Sequence, residues 1–148
     1  MNKLLQNKNV ILVGPCKSLE QSNKGEYIDS FDVVVRVKKG YPIPNYRIKD
    51  LGSKTNILYS NLRMDNNTNN LNKSDIETLN NEKVILCYPQ PLIKPYNHRY
   101  QLFKKKYPEQ DIVLNKDTIN YLDFKKHCGF EPTIMTFAIM DLLQFGLK

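Results

Sequence analysis

Nothing in this chain is long and apolar enough to cross a membrane, and Met1–Asn9 holds no apolar signal segment. Those two absences point to the cytoplasm, the host's cytoplasm if the source is viral, or to a piece of a longer protein. Cysteine is scarce. Cys16, Cys87 and Cys128 are an odd number at wide spacing, with no zinc pattern among them. Histidine is scarcer still. With only His98 and His127, the adjoining His127-Cys128 reads as a helix end rather than as a nucleophile or a metal site. Neither the Walker spacing nor G-x-G-x-x-G occurs. Basic residues are not interleaved with aromatics on a strand pattern, and no nucleic-acid module is recognisable, which argues against nucleic acid as a partner.

Positive charge is present in excess. Net charge is +7 and the pI about 9.3, a balance that favours acidic partners such as nucleotides, although the Lys- and Asn-rich composition accounts for much of it. With 41% hydrophobic residues, the span 1–148 is sized for one domain with a real core. The stretch from Asn9 to Thr55 organises it. Val10-Ile11-Leu12-Val13 and Asp32-Val33-Val34-Val35-Arg36-Val37 read as buried parallel strands, being β-branched runs bounded by Gly, Pro, Asp and Ser. Between them Gly14-Pro15-Cys16-Lys17-Ser18 forms a loop at the carboxyl end of a strand, where open α/β sheets bind ligands. Gly14 lets backbone amides approach an anion. Ser18 can cap a short following helix whose positive end faces the loop. Lys17, Arg36, Lys38, Lys39 and Lys54 add positive charge. A strand-to-helix turn also needs Gly and Ser with no ligand at all, so both readings stand on these residues.

Tyr27–Ser30 predicts a short helix or turn. Gly40-Tyr41-Pro42-Ile43-Pro44 predicts a loop and Asp50–Ser53 a turn. Asn56–Ser60 reads as strand three. Asp65–Lys73 is a polar, low-complexity surface loop. Ser74 and Glu77 have capping-box spacing and open a helix to Asn80. Lys83–Tyr88 is strand four, with Cys87 as a core thiol, and Pro89, Pro91 and Pro95 hold the next loop extended, a loop that also takes His98. Tyr96–Tyr107 then suggests a helix with Tyr100 and Phe103 inward and Lys104-Lys105-Lys106 as its solvated end. Asp111–Leu114 is a short fifth strand. A helix from Asp117 or Thr118 runs to about Lys126, with Ile119 and Leu122 on one face and Gly129 closing it. Pro132 precedes a last helix, Thr133–Phe145, whose N-terminus faces the ligand crevice. The fold class is therefore α/β, a three-layer, Rossmann-like domain around a mostly parallel sheet of about five strands.

V-I-L-V-G-P-C-K-S-L, then G-E-Y-I-D-S-F-D-V-V-V-R-V, then D-L-G-S-K-T, in that order over residues 10–55, resemble the large sialylmotif of family 29 glycosyltransferases, the sialyltransferases. Pro132-Thr133-Ile134-Met135-Thr136-Phe137 and the residues to Leu143 resemble the start of the small sialylmotif. The resemblance implies a glycosyltransferase A-like variant of the fold. It also implies transfer of a sugar, sialic acid in the family, from a CMP-sugar donor to a glycan hydroxyl, with no metal cofactor. The donor-binding positions it implies are Gly14, Pro15, Cys16, Ser18, Arg36, Lys38, Ser60, Asn61 and Thr133. Lys38 stands where the family has a donor-touching Asn, and the family's first-loop Asn falls at Pro15 or Ser18. Where small sialylmotifs read Pro-Ser/Thr-Thr-Gly, this chain has bulky Ile134 and Met135. The animal enzymes' disulfide matches Val10 and Gly146, so that bridge cannot form, and the sequons at Asn66 and Asn72 carry no weight. The family's catalytic His motifs have no counterpart before Lys148, so the chain is either a divergent short protein or part of a longer one. A non-catalytic nucleotide- or phosphate-binding module is the alternative function.

Overall fold

Five short apolar runs pair side by side in the order in which they occur. The computed structural model describes residues 1–63, 71–89, 96–114, 118–130 and 132–144. Strands β1 (Val10–Val13), β2 (Val33–Val37), β3 (Ile57–Tyr59), β4 (Ile85–Tyr88) and β5 (Val113–Leu114) form one sheet in the order β1-β2-β3-β4-β5, every neighbour parallel. Arg36 pairs with Val13 on one side and Leu58 on the other, and Leu58 pairs with Leu86. Since the order never reverses among these strands, no topological switch point lies between them. The carboxyl rim alone places a site.

The helices are α1 (Asn2–Leu5), α2 (Gly25–Asp29), α3 (Ile48–Leu51), α4 (Lys73–Asn81), α5 (Tyr96–Lys106), α6 (Thr118–Cys128) and α7 (Ile134–Gln144). Successive strand residues point to opposite faces, so each strand feeds two cores. On one face Val34 meets Ile28 of α2, while Leu58, Leu86 and Tyr88 meet Leu79 of α4 and Phe103 of α5. On the other, Val33, Val35, Val37, Ile57, Tyr59 and Cys87 meet Leu5 of α1 and Ile134, Ala138 and Leu142 of α7. This is the three-layer α/β arrangement that the alternation of apolar runs and helices predicts. Central strand β2 is buried throughout, whereas edge strand β1 is half-buried over Val10–Leu12.

Several local expectations need correction. The capping box that opens α4 uses Asn72 and Asp75, not Ser74 and Glu77. Asn72 Oδ1 accepts from the Asp75 amide at 3.0 Å and Asp75 returns the bond to the Asn72 amide at 2.9 Å. Asn72 already offers an acceptor one residue before the helix, so the later Ser is drawn inside it. Asp50 is not in a turn but in α3, and Gly52 ends that helix at φ 71°, ψ 170°, a region open essentially to glycine alone. His98 lies in the first turn of α5 rather than in a proline-rich loop. Only Val113 and Leu114 of the fifth run join the sheet. Tyr100 and Phe103 do face inward, Gly129 at φ 71° closes α6, and Cys87 is a buried core thiol whose pKa burial pushes up. Most of the Asp65–Lys73 loop, Asn66, Pro91, Pro95, Asp117, Phe145, Gly146 and the side chains of Ile119 and Leu122 lie outside the described residues.

Candidate functional site

The carboxyl ends of parallel strands bring together residues that are far apart in sequence. Gly14 follows β1, Lys38 follows β2 and Ser60 follows β3. The first turn of α7 comes up beside the β1 loop. A side chain at Gly14 would put its Cβ 2.6 Å from Met135 Cε, so the flexible end of that methionine lies directly against the glycine and would have to shift. The two segments that the resemblance singles out, residues 10–55 and the start of α7, therefore meet. Met135 fills the space directly over Gly14.

The loop after β1 is built differently from expectation. The helix after it is a single 3₁₀ turn, Lys17–Leu19, too short for an appreciable dipole. Its cap is Cys16, whose Sγ accepts from the Ser18 amide at 3.5 Å and from the Ser18 hydroxyl at 3.0 Å. Ser18 thus serves the cap as donor instead of being it, and its hydroxyl hold on the thiol lowers the Cys16 pKa. The amides of Cys16 and Leu19 bond to Gly14 O and Cys16 O. Three of the loop's amides are therefore turned inward. Pro15, Cys16, Lys17 and Ser18 are exposed. Gly14, Cys16 and Ser18 line a largely apolar cleft of about 380 Å³ along the β1 edge, together with Leu19, Lys24 and Tyr27.

Arg36 does not reach the rim. Its side chain is 0% exposed and runs back toward the amino end of β3, where Nη2 donates to Leu51 O (2.7 Å) and Lys54 O (3.0 Å) and Nε to Thr55 Oγ1 (2.9 Å). Burial, partly offset by the nearby Asp29 carboxylate, pulls its pKa down to about 10. Lys54 also lies at the amino end, its ammonium donating to Phe31 O. Neither cation adds charge to the loop after β1. Asp29 holds the same corner by accepting from the Ser53 amide (2.7 Å), the Ser53 hydroxyl (3.0 Å) and the Lys54 amide (2.9 Å). Asp50 accepts from the amides of Gln21 (2.8 Å) and Asn23 (3.0 Å), so it too, like Asp29 and Gly52, is scaffold.

Lys38 is at the rim, half-buried, with a left-handed backbone at φ 45°. Burial lowers its pKa, and the Arg63 and Arg99 charges lower it further. Ser60 is buried, and its hydroxyl accepts from the Leu62 amide at 3.2 Å, so it shapes the turn after β3. Asn61 is half-buried and its Oδ1 accepts from the Arg63 amide at 3.5 Å. Thr133 is exposed and caps α7, its Oγ1 accepting from the Thr136 amide at 3.2 Å. The structure thus gathers Gly14, Lys38, Asn61 and Thr133 at one end of the sheet, closes Ser60 into a turn and removes Arg36. Arg63 and Arg99 were not anticipated. Only their position after β3 and β4 in a parallel sheet could have signalled them.

Among the described residues no three His, Cys, Asp or Glu side chains stand close enough to hold a metal ion, and no helix is long and apolar enough to cross a membrane. Residues 4–126 match a sequence profile described as Glycosyltransferase family 29 (sialyltransferase). Curated proteins gave no match. The matched span takes in β1 to α5 and most of α6. It holds every rim residue named above except Thr133.

Proposed function

The chain belongs to glycosyltransferase family 29, and on that premise we propose that it binds a CMP-sugar at the carboxyl rim and transfers the sugar, sialic acid by family likeness, to a glycan hydroxyl. The observation that carries this reading is the family match over residues 4–126. The seating of Gly14 under the first turn of α7 supports it. In the transfer the acceptor oxygen bonds to the anomeric carbon as the bond from that carbon to the phosphate oxygen breaks, and CMP leaves. Positive charge at the rim stabilises the leaving phosphate, and electrostatic help of this kind is large in a site closed to water. The acceptor proton needs a base within hydrogen-bond reach. Among the described residues, His127 is tied at Nδ1 to Asp123 O within α6, and His98 is exposed on α5. The donor contacts proposed are Gly14, Pro15, Cys16, Ser18, Lys38, Asn61 and Thr133. Arg36 and Ser60 act through the scaffold.

The test is turnover of CMP-sialic acid with a galactoside acceptor, alongside thermal shifts with CMP and UDP. Release of CMP that depends on the acceptor supports the enzyme. A second reading, a nucleotide-binding module without catalysis, is favoured by Met135 over Gly14, which narrows the approach for a sugar. A thermal shift with CMP but no turnover would select it, and no shift with any nucleotide would sink both.

A further inference from the structure

At the amino ends of β4 and β5, away from the carboxyl rim, the surface opens into a cavity of about 320 Å³. The close of α4 forms one wall. There the Lys83 amide donates to Asn80 O (3.2 Å) and the Val84 amide to Leu79 O (2.9 Å), the paired bonds with which a helix ends on a left-handed residue. Lys83, at φ 55°, holds the position that glycine usually takes. The turn before β5 forms the other wall. In it the Gln110 amide donates to Tyr107 O (3.2 Å), the Lys104 ammonium to Gln110 O (2.9 Å) and Gln110 Nε2 to Asp111 O (3.0 Å).

Three features of this cavity are left unused by the fold. Gln110 is 6% exposed, yet its side-chain carbonyl Oε1 has no hydrogen-bond partner among the described residues. Buried acceptors are nearly always paired, so this one marks a place for a donor. The terminal torsion of a glutamine is soft, which lets Oε1 meet a donor that enters beside it. Lys83 and Asp111, exposed on the two walls, carry opposite charges, and neither forms an ion pair among the described residues. Ile85 and Val113, which also line the cavity, are half-buried and 41% exposed, an apolar surface that a ligand can cover.

We propose that the cavity binds a free amino acid with an aliphatic side chain. Asp111 and Gln110 Oε1 accept from its ammonium group, and the Lys83 ammonium meets its carboxylate. Its side chain lies against Leu79, Ile85 and Val113. A zwitterion answers both charges at once, where an anion or a cation alone would answer one and be repelled by the other. Pockets for small ligands span about 300–1,000 Å³, so a cavity of about 320 Å³ suits an amino acid and is too small for a nucleotide-sugar. The site lies at the other end of the sheet from the donor loop and does not rest on the transfer reading.

Titration calorimetry on the full chain with leucine, glycine, N-acetylleucine and leucinamide, at millimolar concentration, tests it. Leucine should bind roughly tenfold more tightly than each of the others, which lack in turn the apolar group, the ammonium and the carboxylate. Lys83→Gly and Asp111→Asn should each weaken leucine roughly tenfold, the size of a lost charge-assisted hydrogen bond. Lys83→Gly should also leave the unliganded melting temperature equal to or above the parent's, since glycine suits the left-handed backbone, so its lower affinity would not reflect a damaged fold. Gln110→Met, which removes Oε1 at similar length, should weaken leucine and leucinamide by similar factors, because both keep the ammonium group. Undetectable binding of leucine, equal affinity for leucine and glycine, or leucine binding unchanged in both Lys83→Gly and Asp111→Asn overturns the site. Displacement of leucine by CMP would place the ligand at the carboxyl rim and overturn it as well.

Discussion

At the amino end of the sheet, Arg36 donates to Leu51, Lys54 and Thr55, and Asp29 accepts from Ser53 and Lys54. At the carboxyl end, Lys38 stands on left-handed backbone at φ 45° near the Arg63 and Arg99 charges, and neither Lys38 nor Arg63 ion-pairs with Asp or Glu among the described residues. Both ends draw on the same stretch of chain, and Arg36 and Lys38 are two residues apart. One end holds Arg36 and Lys54 on acceptors of the fold, and the other sets half-buried Lys38 among like charges. Proximity in sequence to a ligand-type motif therefore says little about which end a side chain serves. A strand residue alternates between faces, but a long side chain on either face can run forward to the rim or back to the base.

The sharpest break of the comparison removes Arg36. Arg36→Ala strips the buried carbonyl of Leu51 and the part-buried carbonyl of Lys54 of their donor and opens a cavity in a fully buried position. Unsatisfied buried acceptors and lost volume together should cost about 4 kcal/mol in urea denaturation. Any Arg36→Ala protein that remains folded should bind CMP as the parent does. Weakened CMP affinity in folded protein would move Arg36 back into the site. Next in size is Gly52→Ala. A Cβ there would lie 2.3 Å from Asp29 Oδ1 on backbone that side chains avoid, so a loss of about 3 kcal/mol is expected. Its measured signature is a fall in denaturation midpoint with an unchanged slope.

A smaller effect comes from the far face of the sheet, where the Tyr59 hydroxyl donates to Asp141 of α7. Burial raises the Asp141 pKa, and the tyrosine bond lowers it in part. A carboxyl whose folded pKa lies above its unfolded value binds its proton more tightly when folded. The chain should therefore gain stability as pH falls through the folded pKa toward the unfolded one, a gain complete below both. Asp141→Asn keeps an acceptor for Tyr59 and should flatten this dependence while stabilising the protein at neutral pH. A denaturation series across pH 4–8, run on parent and variant, reads it out; parallel curves would show that Asp141 is not the titrating group.

Most of the fold is legible from local pattern. Val33-Val34-Val35 cannot be mistaken for a helix face, and Gly129 closes α6 where expected. The start of α4 was misplaced because two residues within three, Asn72 and Ser74, can each cap a helix, and the choice depends on which carboxylate returns the bond. The candidate site was half legible. Gly14, Lys38, Asn61 and Thr133 follow from strand ends and from the family likeness. Arg63 and Arg99 do not, because 25 and 61 residues separate them from Lys38 and only the parallel order of β2, β3 and β4 makes them neighbours. Met135 over Gly14 is likewise a tertiary contact.

The smallest effect, and the one that tests the contrast most directly, is that of Lys38→Gly. Left-handed backbone costs a lysine about 1–2 kcal/mol that glycine does not bear. Glycine in turn loses about 0.5–1 kcal/mol more conformational entropy on folding. The difference leaves a net gain of a few tenths to about 1 kcal/mol, to which relief of the repulsion from Arg63 and Arg99 adds. Stability and CMP affinity should therefore move in opposite directions in this one variant. Loss of the half-buried lysine stem is the opposing contribution, and if it dominates, stability falls instead. A Lys38→Gly protein that is both less stable and equally able to bind CMP would mean that Lys38 packs the rim as Arg36 packs the base, and the two ends of the sheet would no longer differ in kind.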